Sequence, residues 1–458
     1  MNQDHFRPEY HFTVPNGWIN DPNGLVWYQG KYHVFAQHNP HRPVWGPMHW
    51  AHATSDDLIH WEHQPIALYP DQPYDTHDYN GGCFSGSAID DNGILKIIYT
   101  GCVTGQSPSQ CQCVAESSDG VNFIKSSYNP VIKPPIISTE HFRDPKIWKH
   151  EDKFYVIIGS QSEDYKGQAI TYCSQDMTNW QLVGVTAKSE GSLGDIWECP
   201  DMFVLGDKYI LMFSPIHCPY SRTMYLHGDF DYNTGKMTIN QFRQLDYGRD
   251  LYAPQSFLDP KGRRILIGWL TVWGDIVPTA PHGWAGCFSI PRELSVDETG
   301  ELIQKPIEEL CSIRGQKYVF KKSVNGENPL GVEGDSLELL VTVNLKESCA
   351  DQIGLIVRCN SDRSEKTVIT YDRHTGLLTA DASCSGQGHK PVDSAPIGIC
   401  EELTLHIFID KISVEIFALD GKRVITQCIY PSESSKGIYA FSKGDSTKFV
   451  VTTYELKK

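Results

Sequence analysis

From the N-terminus to about residue 292, apolar residues fall in short runs rich in Val, Ile, Tyr and Phe, broken by Gly, Asn, Asp and Pro. Hardly any stretch has the three-to-four-residue spacing of an amphipathic helix, so this part of the chain is expected to be all-β. One run repeats. Asp21-Pro22, followed by an apolar strand, a turn and a second strand through Phe35, returns in outline at Asp144-Pro145, Cys199-Pro200 and Ala253-Pro254. A degenerate copy without the proline starts at Phe84-Ser85-Gly86-Ser87. Positions 22, 85, 145, 200 and 254 are then equivalent, at steps of 54 to 63 residues. A third-strand signal echoes in step at 55–61, 118–123 and 174–180. A period of this size, filled with about four short strands, predicts a propeller blade, and five copies predict a five-bladed β-propeller.

The pattern breaks between Ile290 and about Cys311, where 305–310 suggests a short helix or linker. Alternating strands resume at 336–343, 353–357, 403–409 and 413–417 without the repeat, which predicts a β-sandwich. The expected organisation is a propeller over 1–294, a linker over 295–314 and a sandwich over 315–458.

Because equivalent positions of successive blades surround one axis, the repeat turns scattered acids into a geometric expectation. Asp21 and Asp144 stand immediately before the repeat proline and Glu198 two residues before it, while the second and fifth copies carry no acid there. The plainer reading of 21–24 is an ordinary Asp-Pro-Asn-Gly turn. On the sharper reading, Pro22 fixes a rigid bend and three carboxyl groups ring one funnel. Paired carboxyl groups, one ionised and one protonated, are the arrangement for cleaving a glycosidic bond. Asp21, among amides, suits the ionised role. Glu198, beside Trp197 and Cys199, is expected to be partly desolvated and held protonated as the general acid. Asp144, next to Arg143, is expected to stay ionised and to grip sugar hydroxyls.

Charge and composition narrow the partner. With 40 basic against 56 acidic residues and a net charge of −16, nucleic acid and anionic membrane are disfavoured and a neutral substrate is favoured. The 11 Trp and 22 Tyr suit stacking on sugar rings. The 14 Cys include one CxC, Cys111 and Cys113, but no CxxC, so neither a zinc site nor a disulfide framework is read. His38, His41, His49, His52, His60 and His63 crowd one stretch without a ligand motif, and no metal or other cofactor is expected. No signal-peptide pattern, membrane-length apolar run or Asn-x-Ser/Thr sequon is found. A cytoplasmic protein is expected, with secretion after signal removal as the alternative. The oligomeric state is not legible.

Trp-Ile-Asn-Asp-Pro-Asn-Gly (18–24), Phe-Ser-Gly-Ser (84–87), Arg-Asp-Pro (143–145) and Trp-Glu-Cys-Pro (197–200) resemble the motif set of glycoside hydrolase family 32, the invertase or β-fructofuranosidase family. The similarity extends to 10–13, 252–255, 290–294 and 408–417, nearly the whole chain. It implies a five-bladed propeller followed by a sandwich, and a retaining, two-step hydrolysis of β-fructofuranosides such as sucrose. By the same resemblance Asp21 is the nucleophile, Glu198 the general acid/base and Asp144 the transition-state stabiliser. Asn20, Gln37, Trp45, Phe84, Ser85, Arg143 and Tyr252 are implied substrate contacts, although Trp45, Phe84 and Tyr252 each also suit blade packing. Ile19 replaces a Met often found in the first motif, a volume-conserving change. Phe84 in place of a plant-type Trp resembles the bacterial branch and leaves sucrose, its phosphate and short fructans open. Three rivals stand beside this reading. A fructosyltransferase would use the same intermediate, a sugar-binding propeller would be non-catalytic, and an arabinofuranosidase or xylosidase fits the acids but not the motifs around them.

Overall fold

In the computed structural model, which describes residues 4–76, 80–270 and 277–458, the repeat folds as five blades, each led by an inner strand. The inner strands are Gly17–Tyr28, Gly82–Asp91, Phe142–His150, Ile196–Leu205 and Leu251–Leu258, for blades I to V in order. Each inner strand packs beside the next, and the fifth packs beside the first, so all five surround one axis. Between consecutive blades the buried faces interlock: Ile97 and Tyr99 of blade II meet Trp50 of blade I, and Ile158 and Phe142 of blade III meet Ile98 of blade II. The second strands of blades I to III are buried on both faces, which is why they read as near-continuous apolar runs.

The ring is closed by main-chain pairing. Gly17 and Trp18 at the start of blade I pair in parallel with Trp284 and Ala285, which lie between the second and third strands of blade V.

A bulge recurs at the same place in every inner strand. The antiparallel register slips between Ile19 and Pro22, Cys83 and Gly86, Arg143 and Lys146, Glu198 and Asp201, and Tyr252 and Gln255. Asp144, Cys199 and Ala253 adopt the left-handed region, with φ of 64°, 48° and 48°, a conformation that costs a non-glycine residue about 1 kcal/mol or more. An extra residue in one strand bends it and re-aims its side chains. The stretch 18–24 is therefore not a turn but the middle of a strand, and its rigid bend is the bulge. Gly86 is required at its bulge because a Cβ there would lie 2.1 Å from the carbonyl oxygen of Ile98.

Two expectations change. The echo at 55–61, 118–123 and 174–180 is not a third strand but the turn that leaves it, since the third strands end at Ser55, Ser117 and Ser174. In that turn Ser55 Oγ donates to Asp57 Oδ1 (3.1 Å), whose carboxylate in turn accepts from the amides of Ile59 and His60. The propeller also runs past 294. Arg292–Val296 and Leu302–Pro306 are the third and fourth strands of blade V, paired from Arg292↔Pro306 to Val296↔Leu302. The expected linker shrinks to the 3-10 segment Glu308–Ile313 and its flanks.

The C-terminal part is the expected sandwich. Its longest strand, Gly437–Leu456, pairs with Gln352–Cys359 in its first half and with Leu337–Asn344 in its second, so it passes from one layer to the other. The sandwich is fused to the propeller through apolar packing, with Phe408 and Phe417 among blade I and V residues, and through buried charge. The His11 ring bonds Asp410 Oδ2 at 2.8 Å and Glu415 Oε1 at 2.9 Å, and Arg292 links Glu415 to Asp246, all out of contact with solvent. Burial disfavours the His11 cation, but the hydrogen bonds to Asp410 and Glu415 outweigh it and lift the pKa to about 9. With the folded pKa above the ordinary 6.5, the stabilisation is complete below pH 6.5, declines above it and is gone past about pH 9. On the order of 3 kcal/mol is expected to be lost across that window. Melting curves at pH 6 to 10 for wild type and His11→Gln test this, since the variant should lack the alkaline decline.

Candidate active site

The inner-strand bulges turn three carboxyl groups into one funnel of about 470 Å³, within the usual range for small-ligand sites. Asn20, Asp21, Gln37, Trp45, Phe84, Arg143, Asp144, Glu198 and Tyr252 line it. Ser85, the remaining residue singled out by sequence, does not line the funnel but acts on Asp21, donating to its Oδ2 at 2.5 Å. Grooves of similar size, about 350 to 420 Å³, lie between blades II and III and between propeller and sandwich, without converging motif residues.

Asp21 is 6% exposed. Its Oδ2 accepts from Ser85 Oγ, from Gln37 Nε2 at 3.1 Å and from Cys199 Sγ at 3.4 Å. Its Oδ1 has no hydrogen-bond partner among the described residues, and neither has Gln37 Oε1. Trp18 Nε1 donates to Asn20 Oδ1 (2.8 Å), which fixes the Asn20 amide next to the carboxylate. Burial raises the Asp21 pKa, and the Ser85 hydroxyl and the neighbouring Asn20 amide oppose that rise. The result is a carboxylate held from one side with its other oxygen bare.

Asp144 is 5% exposed, and its Oδ2 accepts from the Cys199 amide (2.9 Å) and touches Cys199 Sγ (3.5 Å). The Asp21 and Asp144 Oδ2 atoms contact the same sulfur and are thus at most 3.4 plus 3.5 Å apart. Burial lifts the Asp144 pKa to about 7; Arg143 lowers it, and Glu198 and Asp21 add to the rise. Burial thus outweighs the Arg143 cation that was expected to keep Asp144 ionised.

Arg143 is spent on Glu198. Its Nη2 and Nε donate to Glu198 Oε1 at 2.8 and 3.0 Å, while Nη1 is tied to His141 Nδ1 (3.1 Å) and Gln110 Oε1 (3.3 Å). The Tyr252 hydroxyl donates to the other oxygen, Oε2. Trp197, invoked by sequence to desolvate Glu198, faces the other way: its indole donates to Leu193 O and stacks on Phe213, with centroids 4.0 Å apart. Glu198 is thus an ion-paired, hydrogen-bonded group with a side chain 19% exposed to the funnel. Arg143 holds its proton more tightly than an ordinary guanidinium: burial opposes the charge, but Glu198 and Asp144 outweigh it.

Trp45 and Phe84 pack on one another at the mouth of blades I and II. They meet edge to face at 5.9 Å, and both present surface to the funnel. Sequence reasoning missed Asn80, Cys102, Thr104, Gly105, Ser109, Gln110, Glu140 and His141, which also line the funnel, and Thr100, whose Oγ1 accepts from the Asp144 amide (2.9 Å). These come from the second and third strands of blade II and from loops, outside the repeated motif, and only the nearness of His141 to Arg143 in sequence hinted at any of them.

The crowding of three carboxyl groups around one guanidinium has a kinetic consequence. Burial raises the pKa of Asp21 and lifts that of Asp144 to about 7, and these two close carboxyl groups are expected to share a proton near neutrality. A pH profile of kcat/KM should fall on the acid side with an apparent pKa near 7. An acid limb at about 4, where ordinary carboxyl groups titrate, would contradict this.

Comparison with known proteins agrees with the geometry. Residues 11–306 match the family model for the Glycosyl hydrolases family 32 N-terminal domain, and 309–457 match Glycosyl hydrolases family 32 C terminal. A sucrose-6-phosphate hydrolase of Escherichia coli is 38% identical over 95% of this chain and 92% of its own length. A raffinose invertase of the same species is 36% identical over the same shares. Among solved structures, a mutant β-fructofuranosidase of Bombyx mori in complex with sucrose superposes with a TM-score of 0.85 at 33% identity, covering 100% of this chain and 95% of its own. With both domain models matched in order and relatives similar along nearly their full length, the chain belongs to glycosyl hydrolase family 32.

Proposed function

We propose that this protein hydrolyses terminal β-D-fructofuranosides such as sucrose, releasing fructose with retention at the anomeric carbon. The observation that carries the reading is Asp21: its Oδ2 is held by Ser85 and Gln37, and its Oδ1 is buried without a partner among the described residues. A carboxylate held on one side by hydrogen bonds, in a residue that lines a sugar-sized funnel, is a poised nucleophile.

In the first step Oδ1 attacks the fructosyl anomeric carbon while Glu198 passes a proton to the departing glycosidic oxygen, leaving fructose esterified to Asp21. In the second step Glu198 takes a proton from water, which attacks the same carbon and restores Asp21. Asp144 accepts hydrogen bonds from fructose hydroxyls, a role that needs its ionised form. Sugar binding therefore favours release of its proton, and Glu198 in the same funnel needs one before it acts as an acid. Gln37 Oε1, the second partnerless acceptor, is placed for another hydroxyl. Asn20, Arg143 and Tyr252 hold the carboxyl groups and the sugar, and Trp45 and Phe84 form the wall for the leaving group.

No helix among the described residues is long and apolar enough to cross a membrane. All 14 cysteines are free thiols, with Cys311, Cys349 and Cys384 exposed, which supports a reducing, cytoplasmic compartment. The test is release of both monosaccharides from sucrose. Equal glucose and fructose support hydrolysis, glucose in excess of fructose means transfer to a sugar, and no turnover of any fructoside overturns the reading.

A further inference from the structure

The leaving-group side of the funnel bears on a question that the relatives raise by their names: whether the sugar leaving Glu198 carries a phosphate. A phosphate monoester brings a charge of about −1.5 to −2 at pH 7 and is normally met by Arg, Lys or a cluster of amides. Among the described residues lining this funnel the only guanidinium or ammonium group is Arg143. All three of its nitrogens are engaged, two on Glu198 and the third on His141 and Gln110. His141 brings no second cation: burial and the adjoining Arg143 hold its pKa below the usual value. The rim instead adds a fourth carboxyl group, the exposed Glu140. The neutral groups there, Asn80, Thr104 and Ser109, suit hydroxyls rather than a dianion. Outside the described residues, 77–79 and 271–276 contain His77, Asp78 and Asp275 but neither Lys nor Arg. Arg42 and Lys133 are not among the lining residues.

We propose that the leaving-group subsite is built for a neutral sugar, so that this protein prefers unphosphorylated sucrose over sucrose 6-phosphate. The inference rests on the fructosidase reading above. A phosphorylated glucosyl group would enter a site of four carboxyl groups whose one cation is already paired, and its charge would be opposed on approach and in the complex.

The test compares kcat/KM for the two substrates with the wild-type enzyme. At about 20 mM ionic strength sucrose is expected to be preferred by about tenfold or more, mainly through KM, and the preference should shrink at about 500 mM, where exposed charges are screened. Glu140→Lys should narrow the gap at low salt by raising turnover of the phosphate. The salt series gives the same answer without a mutant, should that variant fail to fold. Equal or better use of sucrose 6-phosphate at low salt overturns the proposal and leaves the fructosidase reading standing. Turnover of neither substrate sinks the fructosidase reading and the proposal with it.

Discussion

Asp21→Asn is expected to lower kcat/KM on sucrose by on the order of 10⁴-fold or more, with the fold intact. The substitution is isosteric, and the Ser85 hydroxyl and Gln37 can still meet an amide oxygen at the Oδ2 position. What is lost is the anionic oxygen, and with it the ester through which a double displacement passes. Stability should hold or rise, because a buried carboxylate whose charge is penalised by desolvation becomes neutral. Initial rates beside a melting curve check both halves. A folded variant that keeps activity within tenfold of wild type would remove Asp21 from the nucleophile's role.

Glu198→Gln is expected to separate substrates by their leaving groups. With sucrose, whose departing oxygen needs a proton, kcat should fall by about 10³-fold. With an aryl fructoside, whose phenolate leaves unaided, the first step should survive nearly intact and the loss should shift to the second, where water needs a base. A stable fructosyl-enzyme, detectable by mass, should then accumulate. The change also frees Arg143 from its ion pair and removes a carboxylate that raises the Asp144 pKa. The acid limb of the residual activity is therefore expected to move down from about 7. Equal losses on both substrates would mean that Glu198 positions groups without transferring a proton.

The fold was legible in the sequence because a propeller writes one unit five times, and the proline of that unit marks blades I, III, IV and V. Blade V was read short for a reason in its chain. Its last two strands, Arg292–Val296 and Leu302–Pro306, follow a long excursion after Arg264–Leu270 and lack the serine-aspartate turn that marks blades I to III. The three carboxyl groups were legible as members of one site because repeat positions share an axis. Their protonation was not. Sequence placed Arg143 with its neighbour Asp144 and Trp197 with its neighbour Glu198, but Trp197 points away from the funnel that Glu198 lines. The bulge then swings Asp144 and Cys199 into left-handed conformations, and Arg143 reaches across to a glutamate 55 positions away. Such a pairing depends on blade-to-blade geometry, which no local pattern records.

The pairing of Gly17 with Trp284 makes closure of the ring wait for the last blade. Asp21 lies four residues beyond that junction and Tyr252 sits on blade V, so the reaction centre spans the seam of the ring. Closing a loop of that length in a flexible chain costs about 5 kcal/mol of entropy before any contact across it is gained. During synthesis, blades I to IV can form as the ribosome delivers them, yet the ring around Asp21 stays open until residue 285 has emerged. Catalytic competence is then a late, all-or-none event in the life of the chain. A nascent chain halted before that residue would have most of its sheets and no working site.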